Sequence, residues 1–183
     1  MFTAATIQAD TKAELYAELT GQLRALLTGE RDWLANHANA AALVWGGLPE
    51  LNWAGFYLWR GGELVLGPFQ GKPACVRIAA GRGVCGGAVV ERRSLVVPDV
   101  HAFPGHIACD AASRSELVVP LLRGEEVLGV LDLDSPRPGR FDEEDRAGCE
   151  TLVAALLDVT DFAAMPGQAG HHRGTPSLLA LPG

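Results

Sequence analysis

The sequence has few basic residues and no long apolar run, and both absences limit what the protein can bind. Lysine and arginine total 15 against 22 acidic residues, so the formal net charge is −7. Phosphate contacts need clustered basic side chains, and we therefore expect no nucleic-acid partner. No stretch approaches the roughly 18–20 consecutive apolar residues of a membrane-spanning helix, so we expect no membrane segment either.

The N-terminal segment does not predict a signal peptide, and the sequence contains no CxxC motif. The N-terminal segment MFTAATIQADTKAEL has no basic start followed by an apolar block, which predicts a cytoplasmic protein with reduced or redox-cycling thiols. The cysteines are Cys75, Cys85, Cys109 and Cys149. Because none of them forms a CxxC pair, a structural zinc site is not expected.

Apolar periodicity predicts two helices, then strands, then a closing helix. Hydrophobic residues make up 48% of the 183 residues, enough for a sizeable core. Thr11 and Glu14 have the spacing of a capping box before the first helix, and a second helix is predicted over residues 32–45. Asp142 is predicted to cap the last helix. The predicted fold is α+β, a single domain with a mainly antiparallel central sheet flanked by helices.

Turn residues divide the middle of the chain into short strands. The predicted strands are 52–59, 63–67, 74–79, a short one within SLVVPDV, 115–123 and 127–134, and GRGVCGGAVVERR is predicted to contain a short helix. We place the domain at residues 1–164. The tail at residues 165–183 is rich in glycine, proline and histidine and is expected to be flexible.

The strand VLGVLDLD places acidic side chains on one face of the sheet. Residues two apart share a face, so Asp132 and Asp134 are predicted to point the same way as Leu128 and Val130, with the intervening leucines in the core. Two like charges side by side repel unless water or a cation lies near them. The pattern leaves two interpretations open, a solvated sheet face and a site for a positively charged group such as an ammonium.

Trp53 and Tyr57 share a face of the strand 52–59, with Gly55 between them. Aromatic residues at this spacing usually belong to a core, whereas the glycine leaves room for something to approach the backbone. If the same face also carries Asp132 and Asp134, it forms a pocket with aromatic walls and an acidic end.

Cys109 lies in a different sequence context from the other cysteines. Cys75 begins a segment predicted as a strand, Cys85 lies among glycines, and Cys149 suits a buried position in the last helix. Cys109 lies among Pro, Gly, His, Asp and Ser in the loop-like segment PGHIACDAAS. A loop thiol can reach solvent and react, so both a small buried residue and a catalytic thiol remain open at this position.

Five segments of the sequence together resemble the free methionine-(R)-sulfoxide reductase family of GAF-domain proteins. They are NWAGFYL, GPFQGKPACVRI, GRGVCG, HIACDAASRSELVVPL and GVLDLDSP. The resemblance covers residues 52–157, and the three cysteine contexts are its most specific part. It implies a GAF-like fold and the thiol-dependent reduction of free L-methionine (R)-sulfoxide through a cysteine sulfenic acid and an intramolecular disulfide.

The resemblance also implies roles for three cysteines. Cys109 corresponds to the catalytic cysteine, Cys75 to the main resolving cysteine, and Cys85 to a cysteine with an auxiliary redox role. A thioredoxin-type dithiol is the implied reductant, and no metal or organic cofactor is implied. Cys149 and the tail match nothing in the pattern. A homodimer is a further hypothesis, which the sequence does not test.

The remaining site residues correspond to the walls of a substrate pocket. Glu116, Asp132 and Asp134 match acidic residues that hold or protonate the substrate, and Trp53 and Tyr57 match aromatic walls around its methyl sulfoxide end. Two alternatives stay open: a non-catalytic GAF sensor of a small ligand such as a cyclic nucleotide, and a thiol redox switch. The sensor does not need three cysteines, and the switch does not need the acidic pocket.

Overall fold

The computed structural model describes residues 6–105 and 110–165, and in this part of the chain helices pack on both faces of one sheet. The helices are α1 (Lys12–Leu26), α2 (Trp33–Gly47), α3 (Gly83–Glu91) and α4 (Glu143–Val159). The strands are β1 (Trp53–Arg60), β2 (Glu63–Gly71), β3 (Arg77–Ala79), β4 (Leu95–Val97), β5 (Ser115–Arg123) and β6 (Glu126–Ser135). None of the described helices combines the length and the apolar character needed to cross a membrane.

The six strands form one antiparallel sheet in the order β3-β2-β1-β6-β5-β4. The predicted α+β class with a mainly antiparallel sheet is confirmed. The larger core lies between the sheet and α1, α2 and α4, and it contains Leu19, Leu23 and Leu156. A smaller apolar cluster lies on the opposite face, under α3. That second face carries the candidate site.

Local side-chain hydrogen bonds fix the helix starts where the sequence predicts them. The Thr11 hydroxyl accepts a hydrogen bond from the backbone N–H of Glu14 at 3.2 Å, and the Glu14 carboxylate accepts one from the N–H of Thr11 at 3.2 Å. The Asp142 carboxylate accepts hydrogen bonds from the N–H groups of Glu144 and Asp145. These side chains satisfy N–H groups that have no partner within the helix.

Three predicted boundaries were wrong. The ladder with β2 covers Arg77–Ala79, and the Val76 carbonyl accepts one further hydrogen bond from the N–H of Leu66. β3 is therefore shorter than the predicted strand 74–79, and Cys75 lies in the loop before it. β2 instead continues to Gly71, beyond the predicted end at Gly67, because its second half pairs with the start of β1. α2 continues to Gly47, beyond the predicted end at residue 45, so Gly46 and Gly47 lie within its last turn, since glycine weakens a helix without ending it.

A bulge in β6 overturns the predicted position of one leucine. The register between β5 and β6 shifts at Leu128, which has no pairing partner of its own on β5. An extra residue reverses the alternation of faces on one side of it. Leu128 therefore packs in the larger core beside Leu131, whereas Val130 stays on the face of Asp132.

The described chain ends in the core rather than in solvent. Met165, which the sequence analysis placed in the tail, is 2% exposed, and its N–H donates a hydrogen bond to the carbonyl of Phe162. The predicted flexibility of residues 166–183 lies outside the described residues. The domain boundary stays a prediction.

Gly148 allows α4 to pack against the Tyr16 ring of α1. A Cβ atom at position 148 would lie 2.1 Å from Cγ of Tyr16. Tyr16 is 4% exposed, and its hydroxyl donates a hydrogen bond to Asp145 at 2.8 Å, so the ring has no free space to move into. We expect Gly148→Ala to lower the free energy of unfolding by roughly 3 kcal/mol through overpacking.

The control for this prediction is Gly21→Ala on the exposed side of α1. A Cβ atom there has nothing within 4 Å. Removing a helical glycine should raise the free energy of unfolding by about 0.5–1 kcal/mol. Urea unfolding measures both variants, and equal stability of the Gly148→Ala variant and the wild type would contradict the packing argument.

Candidate active site

Strands β1, β6 and β5 bring the predicted aromatic and acidic residues together on the face below α3. Trp53 lies opposite Asp134, and Asp134 in turn lies opposite Glu116. Asp132 lies opposite Gly55, two residues further along β1. The period-2 alternation therefore does more than align residues within one strand. It builds a continuous patch across three neighbouring strands.

Stacked rings form the apolar wall of this patch. The ring of Trp53 lies 5.8 Å from that of Tyr57 and 5.3 Å from that of Phe69, and both pairs are nearly parallel. The indole N–H of Trp53 donates a hydrogen bond to the carbonyl of Lys72 at 3.1 Å. A Cβ atom on Gly55 would lie 2.3 Å from Cβ of Phe69. Phe69 therefore fills the space beside this glycine, and a ligand does not. The indole is therefore held in place from two sides.

The acidic end of the patch is buried. Glu116 and Asp132 are each 6% exposed, which excludes the solvated-face interpretation for Asp132. Burial raises the pKa of Asp132 to about 7. Burial and the neighbouring Asp132 carboxylate raise the pKa values of Glu116 and Asp134 well above their ordinary range. At neutral pH the group therefore holds protons that exposed carboxylates would have lost.

One oxygen in this acidic group lacks a hydrogen-bond donor. Oδ1 of Asp132 is buried and has no hydrogen-bond partner among residues 6–105 and 110–165. Leaving a buried acceptor unsatisfied costs about 1–3 kcal/mol, more if it is charged. A donor or cation supplied by a ligand would recover that cost.

Cys85 lies on α3, directly above the acidic group. It is 3% exposed, and its Sγ lies 3.9 Å from Oε1 of Glu116. Burial, together with the charges of Asp132 and Glu116, raises the pKa of the Cys85 thiol well above its ordinary value. The substrate-free site therefore keeps this thiol protonated, which makes it a poor nucleophile.

The face below α3 carries a cavity, whose lining includes Lys72, Asp110 and Ser113, three polar residues that sequence reasoning did not identify. Asn52 donates hydrogen bonds to Asp110 at 3.3 Å and to Ser113 at 3.0 Å. Lys72 forms an ion pair with Asp110 at 3.1 Å. Hydrogen bonds from the N–H of Ala112 and from Lys72 lower the pKa of Asp110. The one signal in the sequence was adjacency, because Asp110 directly follows Cys109 and Asn52 directly precedes Trp53.

The described cysteines differ in state. Cys75 is partly buried in the loop between β2 and β3, next to Ala74 of the cavity wall, and is disulfide-bonded. Cys85 and Cys149 are free and buried. Burial raises the pKa of Cys149 to about 12, and its thiol contacts the Tyr16 hydroxyl at 3.8 Å, which fits a purely structural position. Cys109, the predicted catalytic residue, lies outside the described residues.

Residues 14–163 match the family model of the GAF domain, so this chain is a GAF-domain protein. It is 53% identical over 154 residues to the free methionine-R-sulfoxide reductase of Escherichia coli K12, covering 82% of this chain and 93% of that protein. It is 42% identical over 153 residues to the Saccharomyces cerevisiae free methionine-R-sulfoxide reductase, covering 79% and 85%. This chain belongs to the free methionine-R-sulfoxide reductase family.

A solved structure of the family has the same fold. The X-ray structure of free methionine-R-sulfoxide reductase from Neisseria meningitidis in complex with its substrate matches with a TM-score of 0.82 at 43% identity, covering 86% of this chain and 95% of that one. The resemblance inferred from the five sequence segments is thereby confirmed.

Proposed function

We propose that this protein is an oxidoreductase that reduces free L-methionine (R)-sulfoxide to methionine with electrons from its own thiols. The observation that carries the proposal is the buried patch that joins Trp53 and Tyr57 to an acidic group with an unpartnered Asp132 oxygen. Its apolar and acidic ends suit a ligand with a methyl end and an ammonium. The names of the relatives support the same reaction. A sensor or a redox switch explains less, because neither needs both the cysteines and the buried acids.

The proposed reaction begins at Cys109. Its thiolate attacks the sulfoxide sulfur, the sulfoxide oxygen is protonated and transferred to the cysteine, and methionine leaves as the thioether. Cys109 is then a sulfenic acid, which condenses with the Cys75 thiol to give a disulfide and one water. An external dithiol restores both thiols by disulfide exchange and is itself oxidised. The cycle needs no electrons from a metal or an organic cofactor.

Two observations support Cys75 as the resolving partner of Cys109. Cys75 is disulfide-bonded, whereas Cys85 and Cys149 are free thiols. The ion pair between Lys72 and Asp110 ties the loop that carries Cys75 to the residue that follows Cys109. We propose Cys85 only as an auxiliary redox group, because its burial and high thiol pKa disfavour attack on a sulfenic acid.

A single-turnover experiment tests the proposed function. Reduced protein without external reductant should release about one methionine per chain and lose two thiols, because the condensation to a disulfide consumes two. Peptide mapping should then find Cys75 linked to Cys109. No release of methionine, or no loss of thiols with its release, would contradict the thiol mechanism.

Cys75→Ser separates the resolving step from the chemical step. This variant should still release about one methionine per chain, because the Cys109 thiol is intact, but the sulfenic acid should persist and react with a trapping reagent such as dimedone. Turnover with thioredoxin should fall by at least roughly tenfold, since exchange needs a disulfide. Cys149→Ser is the matched control. If the Cys75→Ser variant formed a disulfide between Cys85 and Cys109 and kept its full turnover, the resolving role would belong to Cys85.

Glu116 is the proposed proton donor to the sulfoxide oxygen. Its raised pKa keeps it protonated at pH values where an ordinary glutamate is ionised. Activity should therefore be lost as the pH rises through the pKa of Glu116. We expect Glu116→Gln to lower kcat by roughly 10²–10⁴-fold and to remove this alkaline decline.

The matched control is Glu125→Gln in the turn between β5 and β6, where the glutamate side chain is fully exposed. It should leave the pH profile of kcat/KM unchanged. An alkaline decline that persists unchanged in Glu116→Gln would assign proton donation to another group.

Asp132 and Asp134 are the proposed ammonium site. Both carboxylates lie on the same face, and Oδ1 of Asp132 lacks a donor within the described chain. An ammonium supplies three N–H donors and a charge that offsets the repulsion between the acids. Methionine within a polypeptide has no such ammonium, so this contact favours the free amino acid.

Three further proposals concern the setting of the reaction. A thioredoxin-type dithiol is proposed as the reductant because the cycle ends in a disulfide that exchange can reduce. The cytoplasm is proposed as the compartment because a thiol catalyst needs a reducing environment. A homodimer is proposed as the assembly and can be tested by sedimentation.

A further inference from the structure

Cys85, Glu116 and Asp132 form a compact cluster of metal-ligating groups on the buried wall of the cavity. The Cys85 sulfur and one carboxylate oxygen of each acid all lie within 4.8 Å of one another. The Sγ of Cys85 lies 3.9 Å from Oε1 of Glu116. Ligand atoms around a tetrahedral zinc ion lie about 3.3–3.8 Å apart, so the cluster needs only small side-chain movements to reach that geometry.

The unpartnered Asp132 oxygen is the second observation that points to a ligand here. Asp132 is 6% exposed, and its Oδ1 has no hydrogen-bond partner among residues 6–105 and 110–165. The cluster also combines one sulfur with two oxygens. Magnesium and calcium prefer oxygen alone, whereas zinc accepts both thiolate and carboxylate ligands.

We propose that Cys85, as a thiolate, binds a zinc ion together with Glu116 and Asp132, and that this ion inhibits the enzyme. Zinc binding requires the Cys85 thiol to release its proton to solvent, and no electron is transferred. The ion occupies the position proposed for the substrate ammonium, because both would be held by Asp132. Zinc and methionine sulfoxide therefore exclude each other. The inhibitory part rests on the proposed function, whereas the metal site does not.

The test uses a Cys75→Ser/Cys109→Ser variant, which removes the two thiols of the proposed redox cycle as competing ligands. Cobalt(II) serves as a spectroscopic probe, because a bound thiolate gives a sulfur-to-cobalt charge-transfer band. Zinc affinity is then measured by competition with a chromogenic chelator. We expect one cobalt ion per chain with this band, and displacement of cobalt by zinc.

Further replacements in that background identify the ligands. Cys85→Ser should abolish the band, and both Cys85→Ser and Asp132→Asn should weaken zinc binding at least roughly tenfold, since even indirect partners of a metal site contribute that much. Cys149→Ser is the matched thiol control and should change neither. Absence of the band, or a band that survives in Cys85→Ser, overturns the site.

The last part of the experiment tests whether free methionine sulfoxide displaces the metal. Addition of methionine sulfoxide to the cobalt-loaded variant should reduce the charge-transfer band in proportion to the occupancy of the substrate site. Cobalt that stays bound at saturating methionine sulfoxide overturns the inhibitory part. If the wild type reduces no methionine sulfoxide but the metal band depends on Cys85, the proposed function fails and the metal site stands.

Discussion

Replacing Cys109 with serine should abolish the reduction of free methionine sulfoxide. A serine hydroxyl is a far weaker nucleophile at neutral pH and cannot form the sulfenic acid that carries the oxygen away from the substrate. We expect the residual kcat to lie below roughly one thousandth of the wild-type value, as for other enzymes that lose their nucleophile. The measurement is methionine release with excess dithiol.

Cys149→Ser is the control for that loss. It makes the same chemical change in α4, on the other side of the sheet, where the thiol contacts only structural groups such as the Tyr16 hydroxyl. Its kcat/KM should stay within about twofold of the wild type, and its unfolding should be measured alongside, since buried polar substitutions destabilise. Near-normal activity in Cys109→Ser, or a complete loss in Cys85→Ser instead, would contradict the assignment of the nucleophile.

Replacing Asp134 with asparagine should remove most of the preference for the free amino acid. A charge-assisted hydrogen bond is worth about 1.5–3 kcal/mol. At about 1.4 kcal/mol per factor of ten, its loss should lower kcat/KM for free methionine sulfoxide roughly ten- to a hundredfold. Asparagine is nearly isosteric with aspartate and cannot ionise in this buried acidic group, so the variant should remain folded.

Acetylation of the substrate amine, combined with this variant, tests whether Asp134 binds that amine. The wild type should use N-acetyl-methionine sulfoxide much less well than the free compound, whereas Asp134→Asn should show little further loss on acetylation. Asp158→Asn removes the same charge at an exposed position of α4 and should behave like the wild type. Equal use of the free and acetylated compounds by the wild type would show that the two aspartates do not form an ammonium site.

Local signals in the sequence were sufficient for the helix starts and for the face of the sheet on which the predicted aromatic and acidic residues lie. The caps at Thr11 and Asp142 depend on residues within three positions, so the sequence contains the whole interaction. The shared faces of Trp53 with Tyr57 and of Asp132 with Asp134 follow from strand geometry alone. Joining these pairs required the strand order, which neither strand contains and which the structure gives as β1-β6-β5.

Features that depend on distant partners could not be predicted in this way. The side chain of Leu128 faces the larger core because β5 and β6 differ by one residue at that point, which neither strand reveals by itself. Cys75 lies in a loop because β3 pairs with β2 only at Glu63–Val65, on the edge of β2 that faces away from β1. The hydrogen bonds from Asn52 to Asp110 and Ser113 join positions that are 58 and 61 residues apart in the chain.

The most direct test of the proposed activity is to measure methionine formation from the separate epimers of free L-methionine sulfoxide. Reduced protein with excess dithiol is incubated with the (R) epimer, with the (S) epimer and with a peptide that contains methionine sulfoxide, and methionine is quantified by chromatography. We predict that only the free (R) epimer is reduced at a rate well above that of dithiol alone. No methionine from the free (R) epimer, or equal rates with both epimers or with the peptide, would contradict the assignment.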